Sequence, residues 1–202
     1  MFITFEGIEG SGKTTQIQLL EQWLADQTID YVTTLEPGGT KAGNALRQML
    51  LEVPSSIQNP RSELFLFAAD RCEHIEQVIQ PNLKQGKWVI CDRYIDSTYS
   101  YQYGGRQHLK QDVLDIIRLT GALEPDLTIV LDLPVEEGLR RAKNRADLDR
   151  FEQEELAFHQ RVRDAYLDCE QFDRVAIIRT QELSVDDVFN QIVNEINRRR
   201  KV

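Results

Sequence analysis

Short, near-continuous apolar runs alternate along this chain with longer stretches in which apolar side chains return every three or four positions. The runs Phe2 to Phe5, Tyr31 to Leu35, Trp88 to Cys91, Leu127 to Leu131 and Val175 to Ile178 have the character of strands covered on both faces. Between and after them, helical periodicity extends near residues 13 to 26, 40 to 51, 61 to 84, 109 to 120, 135 to 146, 150 to 171 and 184 to 199. This alternation predicts an α/β fold, a doubly wound five-stranded parallel sheet flanked by helices. Ligands of such sheets gather at the carboxyl ends of the strands. The residues after Phe5, Leu35, Cys91 and Leu131 are therefore the places to look for chemistry.

After the first strand comes Gly7-Ile8-Glu9-Gly10-Ser11-Gly12-Lys13-Thr14, a complete Gly-x-x-x-x-Gly-Lys-Thr phosphate-binding P-loop. Such a loop needs a strand before it and a helix after it, so that backbone N–H groups and the helix dipole converge on one anion. Both flanks are present, the helix through Ile17, Leu19, Leu20, Trp23 and Leu24. A glycine-rich turn that happens to contain lysine would need neither flank.

The other strand ends carry weaker signals. Glu36-Pro37-Gly38-Gly39-Thr40 is a turn whose glycines let the backbone approach a ligand or change direction. Asp92-Arg93-Tyr94 puts a carboxylate and a guanidinium where a P-loop protein needs a magnesium-directed acid and a phosphate clamp, the alternative being a surface ion pair. Phe67 and Arg71 fall four residues apart on one helix face, an arrangement suited to stacking a base and reading its edge; Phe65 is expected in the core. Tyr94, Tyr99, Tyr101 and Tyr103 crowd a segment with Ser97, Gln102, Gly104, Gly105 and Arg106, which reads as a long binding loop or as aromatic plugs at a core edge. Arg140, Arg141, Lys143, Arg145 and Arg150 concentrate positive charge. They form either a solvated helix face or a mobile lid that brings cations to a transferring phosphoryl group. The acidic run Glu152 to Glu155 is expected to pair with them or with solvent.

The chain has 202 residues, 41% of them hydrophobic, enough for one well-buried core, and a single domain is expected. The net charge of -9 argues against a nonspecific nucleic-acid or anionic-membrane surface. The longest apolar stretches fall short of a membrane span, and Met1 leads straight into a strand with no basic leader, so a soluble, unexported protein is expected. Cys72, Cys91 and Cys169 are odd in number and unrelated in spacing, which points to reduced cytoplasmic thiols instead of a disulfide framework or metal site. Arg198 to Lys201 reads as a solvated helix end.

Taken together, the P-loop, Glu-Pro-Gly-Gly-Thr, Phe-Ala-Ala-x-Arg, Asp-Arg-Tyr and the Tyr-Gln followed by glycines and arginine resemble the thymidylate kinases over nearly the whole chain and in the same order. Gly10 stands where some members carry arginine, which resembles the bacterial type with its catalytic arginine in the lid. The resemblance implies a nucleoside monophosphate kinase-like P-loop NTPase fold with a lid at about 140–152. It also implies transfer of a phosphoryl group from ATP-Mg to dTMP, and a homodimer. For the ATP phosphates it implies Gly7, Gly10, Ser11, Gly12, Lys13, Thr14 and Thr15, with Arg141 against adenine; Thr14 and Asp92 are implied on Mg2+ or its water. On the acceptor side it implies Glu9 at the sugar 3′-hydroxyl, Arg47 and Arg93 on the phosphate, and Glu36 and Pro37 nearby. It further implies Phe67 stacked on thymine, Arg71 and Gln102 at its edge with Ser97 close by, and Tyr101 filling the place of a 2′-hydroxyl. Lys13, Asp92, Arg93 and Arg145, with Arg150 as second candidate, are the implied catalytic groups.

Two positions depart from the family pattern: Leu35, often arginine, and Tyr103, usually glycine. The first removes a possible charge near the acceptor, and the second puts bulk into a loop built for close approach. A kinase for another monophosphate would share the phosphate chemistry, whereas Phe67, Arg71 and Gln102 favour a pyrimidine. A nucleotide-sensing assembly protein would use the P-loop alone.

Overall fold

The computed structural model describes residues 1–145 and 149–200. Its strands are β1 (Phe2–Glu6), β2 (Tyr31–Leu35), β3 (Trp88–Asp92), β4 (Leu127–Asp132) and β5 (Val175–Arg179). They form one parallel sheet in the order β2-β3-β1-β4-β5. From β1 the chain crosses to the sheet edge at β2, fills in β3 between the two, and then passes β1 to add β4 and β5 on the other side, so the switch in strand order falls at β1. Phe5 is level there with Asp92 on β3 and Ile129 on β4, and the P-loop leaves the sheet beside the carboxyl end of β3.

One face of the sheet carries the largest apolar cluster. Ile3, Phe5, Ile90, Leu127, Ile129 and Leu131 meet Ile17, Leu20 and Leu24 of α1 (Lys13–Asp26) and Val188, Ile192 and Ile196 of the C-terminal helix Val185–Arg200. On the opposite face the alternate residues of β1 and β4 include Thr4, Glu6 and Thr128, all fully buried. The Thr4 and Thr128 hydroxyls are 2.8 Å apart. Asp96 accepts from Thr128 at 3.3 Å and from both terminal nitrogens of Arg174 at 2.8 Å. A polar seam of this kind is tolerated in a sheet because its groups are paired, and it runs to the carboxyl end of β1.

The helices on the flanks are α2 (Lys41–Leu51), α3 (Pro60–His74), α4 (Gln80–Lys84), α5 (Ile95–Thr98), α6 (Lys110–Leu119), α7 (Val135–Arg145) and α8 (Leu156–Asp168), with the C-terminal helix as α9. The predicted helix 61–84 is continuous but widens to a π-helical turn at Ile75–Ile79, just before Pro81, whose ring and missing N–H disturb a regular ladder. The predicted helix 150–171 begins at Leu156 instead. Ahead of it Asp149 Oδ1 accepts from the backbone N–H groups of Phe151 and Glu152 at 2.8 and 2.9 Å, folding that stretch into a turn. The tyrosine-rich segment is not a loop: it is α5 followed by a π-helix over Tyr99–Gly105. Phe65 is 57% exposed, contrary to its expected place in the core, while Leu64 next to it is buried. The three cysteines are free thiols. Among the described residues no helix is long and apolar enough to cross a membrane.

Candidate active site

A cleft of about 620 Å³ opens at the carboxyl ends of β1, β2 and β3. The P-loop forms one wall, and its geometry depends on glycine. Gly10 has φ +71°, and a Cβ there would lie 2.3 Å from the carbonyl oxygen of Gly138 on α7. The loop and α7 thus touch backbone to backbone, leaving no room for an arginine at position 10 and bringing Arg141 of α7 to the cleft. Lys13 folds back so that Nζ donates to the carbonyls of Gly7 at 3.0 Å and Ile8 at 3.2 Å. Burial, reinforced by the Arg93 charge, pulls its pKa down to about 8 even though Asp92 and Glu9 oppose the shift.

Arg93 joins this wall to the rest of the site. It has φ +68°, a backbone strain that places its guanidinium across the end of β1. Nη2 donates to Glu9 Oε1 at 3.0 Å and Nη1 to the Gly7 carbonyl at 3.1 Å. Nη1 also reaches Tyr166 Oη at 3.1 Å, and the guanidinium lies 5.1 Å from the Tyr101 ring centroid. Burial works against the charge of Glu9, yet Arg93 and Lys13 hold its carboxyl below the usual carboxylate range. Behind Arg93, Glu6 accepts from the Tyr94 backbone N–H at 2.8 Å and from Ser97 Oγ at 2.6 Å. Burial and the neighbouring Asp96 raise the Glu6 carboxyl to about 7.

The opposite wall is built on α3 and the π-helix. Arg71, 2% exposed, donates from Nε and Nη2 to Glu36 Oε2 at 2.9 and 2.7 Å and from Nη2 to Thr98 Oγ1 at 2.9 Å. Glu36 is held in turn by His74, whose Nδ1 is 2.9 Å from Oε1 and whose Nε2 is 2.6 Å from Thr34 Oγ1. Asp70 accepts from the Gly38 N–H at 3.0 Å, and burial with the Glu36 charge raises it to about 6. Arg47 donates to the Pro37 carbonyl at 2.8 Å. The wide turn of the π-helix turns Tyr101 and Gln102 to the cleft together, a use to which such turns are often put. Tyr101 Oη donates to Glu9 Oε1 at 2.5 Å, and Gln102 Nε2 donates to Glu63 Oε1 at 3.0 Å.

Of the residues singled out in the sequence, Glu9, Gly10, Ser11, Gly12, Lys13, Thr14, Thr15, Glu36, Pro37, Arg47, Phe67, Arg71, Asp92, Arg93, Ser97, Tyr101, Gln102 and Arg141 all line the cleft. Gly7 does not: it lies beneath the loop, with its carbonyl taken by Lys13 and Arg93. Arg150 does not either. Its Nη1 is bound to the buried Glu63 carboxylate at 2.7 Å and its Nε to the Leu50 carbonyl at 2.9 Å, which directs it away from the P-loop. Arg145 closes α7, and its side chain lies outside the described residues, as do positions 146–148 of the expected lid. Among the described contacts, Arg140 and Arg141 bind Glu137 on their own helix, and of the acidic run Glu154 binds Arg106.

The two departures are absorbed outside the cleft lining. Tyr103 packs on Tyr99, ring centroids 4.9 Å apart, with Lys110 Nζ 5.8 Å from its ring, and Leu35 is 37% exposed at the end of β2. Sequence reasoning passed over Phe151, which lines the cleft 6.0 Å from Phe67 and 5.7 Å from Tyr101, ring centroid to ring centroid. It also passed over Glu6, His74, Glu63 and Tyr166, which support the lining residues from behind. Only Glu6 had a local signal, as the acid that ends an apolar strand.

The arrangement draws Lys13, Arg47, Arg71, Arg93 and Arg141 into one cleft of a chain with net charge -9, as binding of several phosphate groups requires. The comparisons with known proteins agree with it. A family model described as thymidylate kinase matches residues 5–192. The chain is 47% identical over 178 residues to the thymidylate kinase of Carboxydothermus hydrogenoformans, covering 88% of this chain and 87% of that protein. It is 44% identical to that of Trichodesmium erythraeum, with 95% and 92% covered. A crystal structure of thymidylate kinase from Ehrlichia chaffeensis superposes with a TM-score of 0.78 at 33% identity, covering 98% of each chain. With motif order, sheet topology and relatives in accord, the chain belongs to the thymidylate kinase family.

Proposed function

We infer that the cleft transfers the γ-phosphoryl of ATP to the 5′-phosphate of dTMP, giving dTDP and ADP, a step toward dTTP for DNA replication. The observation that carries this reading is Arg93. One guanidinium is bound both to the P-loop carbonyl of Gly7 and to Glu9, so the same cation borders the donor phosphates and the acceptor. The attacking phosphate oxygen is already ionised at neutral pH, and the protein's contribution is alignment and charge neutralisation with no covalent intermediate.

The donor phosphates lie in the P-loop from Gly10 to Thr15 over Lys13, with Arg141 at the adenine. Arg47 and Arg93 clamp the acceptor phosphate, Glu9 takes the sugar 3′-hydroxyl, and Tyr101 occupies the place of a 2′-hydroxyl. Thymine stacks on Phe67, with Arg71 and Gln102 at its edge and Glu36, Pro37 and Ser97 completing the pocket. Thr14 and Asp92 are the residues for Mg2+ or its water. Oxygen donors suit that hard cation, and Asp92 Oδ1 is buried without a hydrogen-bond partner. Among the described residues there is no cluster of three or more candidate metal ligands. Mg2+ bound there would supply positive charge against that of the donor phosphates.

The chain acts as one kinase domain with a lid at about 140–152, in which Arg145 reaches the transferring group. It works in the cytoplasm as a homodimer. Exposed Phe65 on α3 and Leu114 and Leu119 on α6 suit a second copy. The test is coupled ADP release with ATP and magnesium across dTMP, dUMP, dCMP, UMP, AMP and GMP at one concentration. Strong preference for dTMP is expected; preference for a purine or a ribonucleotide overturns the roles of Phe67, Arg71 and Tyr101.

A further inference from the structure

Two buried polar groups meet at the cleft without a hydrogen bond between them. His159 on α8 is 1% exposed, and neither ring nitrogen has a well-formed hydrogen bond, although the Glu154 backbone lies close to the ring. Its Nδ1 is 3.8 Å from Oε2 of Glu9, which is likewise buried and unpartnered. The other oxygen of Glu9 is fully engaged by Tyr101 Oη and Arg93 Nη2. Buried polar atoms nearly always find partners, so leftover groups facing each other require an explanation.

We propose that His159 is a positioning residue for the phosphoryl acceptor: its Nδ1–H steers Oε2 of Glu9 toward the 3′-hydroxyl of the acceptor sugar. The proposal rests on the assignment of Glu9 to that hydroxyl. Glu9 is gripped from two elements. The π-helix supplies Tyr101 to Oε1, and α8, which packs against that helix, supplies His159 beside Oε2. With Oε1 fixed, the orientation of the carboxylate plane is set by whatever lies next to Oε2. The imidazole is itself held edge-on to Phe158, ring centroids 5.5 Å apart and planes at 90°. Burial keeps its pKa below the usual histidine value against the charges of Glu9, Glu154 and Asp149 and the contact with the Glu154 backbone, so a neutral ring with one N–H meets the carboxylate. A neutral donor can orient Glu9 without neutralising it, leaving its charge to accept from a hydroxyl.

The test compares kcat/KM for dTMP with that for 3′-deoxythymidine monophosphate, which lacks the hydroxyl. Glu9→Gln tests the underlying assignment and is expected to collapse the ratio between the two substrates. His159→Phe keeps bulk without a donor and is expected to lower that ratio about tenfold, with KM for ATP unchanged. His159→Asn carries an amide near the Nδ1 position and is expected to keep the ratio within about threefold of wild type; His159→Gln, with its amide at the distal position, is expected to lose it, and supplies the answer if His159→Phe fails to fold. The proposal is overturned if the His159 variants depress both substrates equally, the mark of a packing role, or leave the ratio intact while Glu9→Gln collapses it. If Glu9→Gln leaves the ratio intact, the assignment of Glu9 fails and the proposal falls with it.

Discussion

The buried carboxylate of Glu63 holds Arg150 at 2.7 Å. The same carboxylate, 1% exposed, also binds Arg106 and accepts from Gln102. One acid thus ties Arg150 to Gln102, a residue of the cleft lining. Breaking a buried pair by removing one partner leaves uncompensated charge, at about 3–5 kcal/mol. Glu63→Ala is therefore expected to lower stability by that order, read as a shift in urea midpoint at constant slope. A loss below about 1 kcal/mol would mean that solvent replaces the carboxylate readily.

Arg150 and Arg145 are expected to separate in their effects. With Arg150 committed to Glu63 and Leu50, Arg150→Ala should act mainly through stability and dTMP affinity. Arg145→Ala should cut kcat by roughly a thousandfold, the scale of an arginine on a transferring phosphoryl group, with little change in KM for dTMP. Steady-state kinetics on the two variants decide it: a small kcat effect for Arg145 and a large one for Arg150 would reverse the assignment.

Gly10→Ala tests the contact between the P-loop and α7. The added Cβ meets the Gly138 carbonyl oxygen at 2.3 Å and sits on a φ of +71°, so the loop must shift away from α7. KM for ATP is expected to rise at least tenfold while dTMP binding, measured by calorimetry without ATP, changes less than threefold. Unchanged ATP kinetics would show that the loop accommodates the methyl group.

Glu6 makes stability pH-dependent in a stated direction. Its carboxyl ionises near 7 in the folded chain, against 4.5 as the ordinary value. Between about pH 4.5 and 7 the folded state therefore binds more protons at this site than the unfolded state, and its contribution to stability falls as pH rises through that window. Glu6→Gln removes the titration, so the difference in unfolding free energy between variant and wild type should shift in favour of the variant from pH 5 to pH 7.5. A pH-independent difference would place the Glu6 pKa near its ordinary value in the folded chain.

Much of this was legible from the sequence because the signals are local. The P-loop, Asp92 and Arg93 announce themselves by spacing and by the strands that precede them, and the five apolar runs of the sheet need no tertiary information. What escaped depends on residues distant in sequence. Arg150 looks like any lid arginine until Glu63, far upstream, is brought beneath it. Phe65 and Leu64 are equally apolar, and which of them faces outward depends on how α3 is seated. The tyrosine-rich segment contains two glycines and reads as a loop, yet Gly104 and Gly105 are where α8 packs closest: a Cβ would lie 2.7 Å from Ala165 and 2.4 Å from Phe158. The π-helix and the close packing of α8 arise together, and neither has a signature at the scale of a short motif.

Whether donor and acceptor sides form one catalytic cleft is tested most simply by product analysis by chromatography with ATP, Mg2+ and dTMP. dTDP and ADP are expected in equal amounts, with ADP release falling at least a hundredfold when dTMP is omitted. ADP released at the same rate with and without dTMP, and no dTDP, would contradict it and leave a nucleotide-hydrolysing P-loop protein in its place.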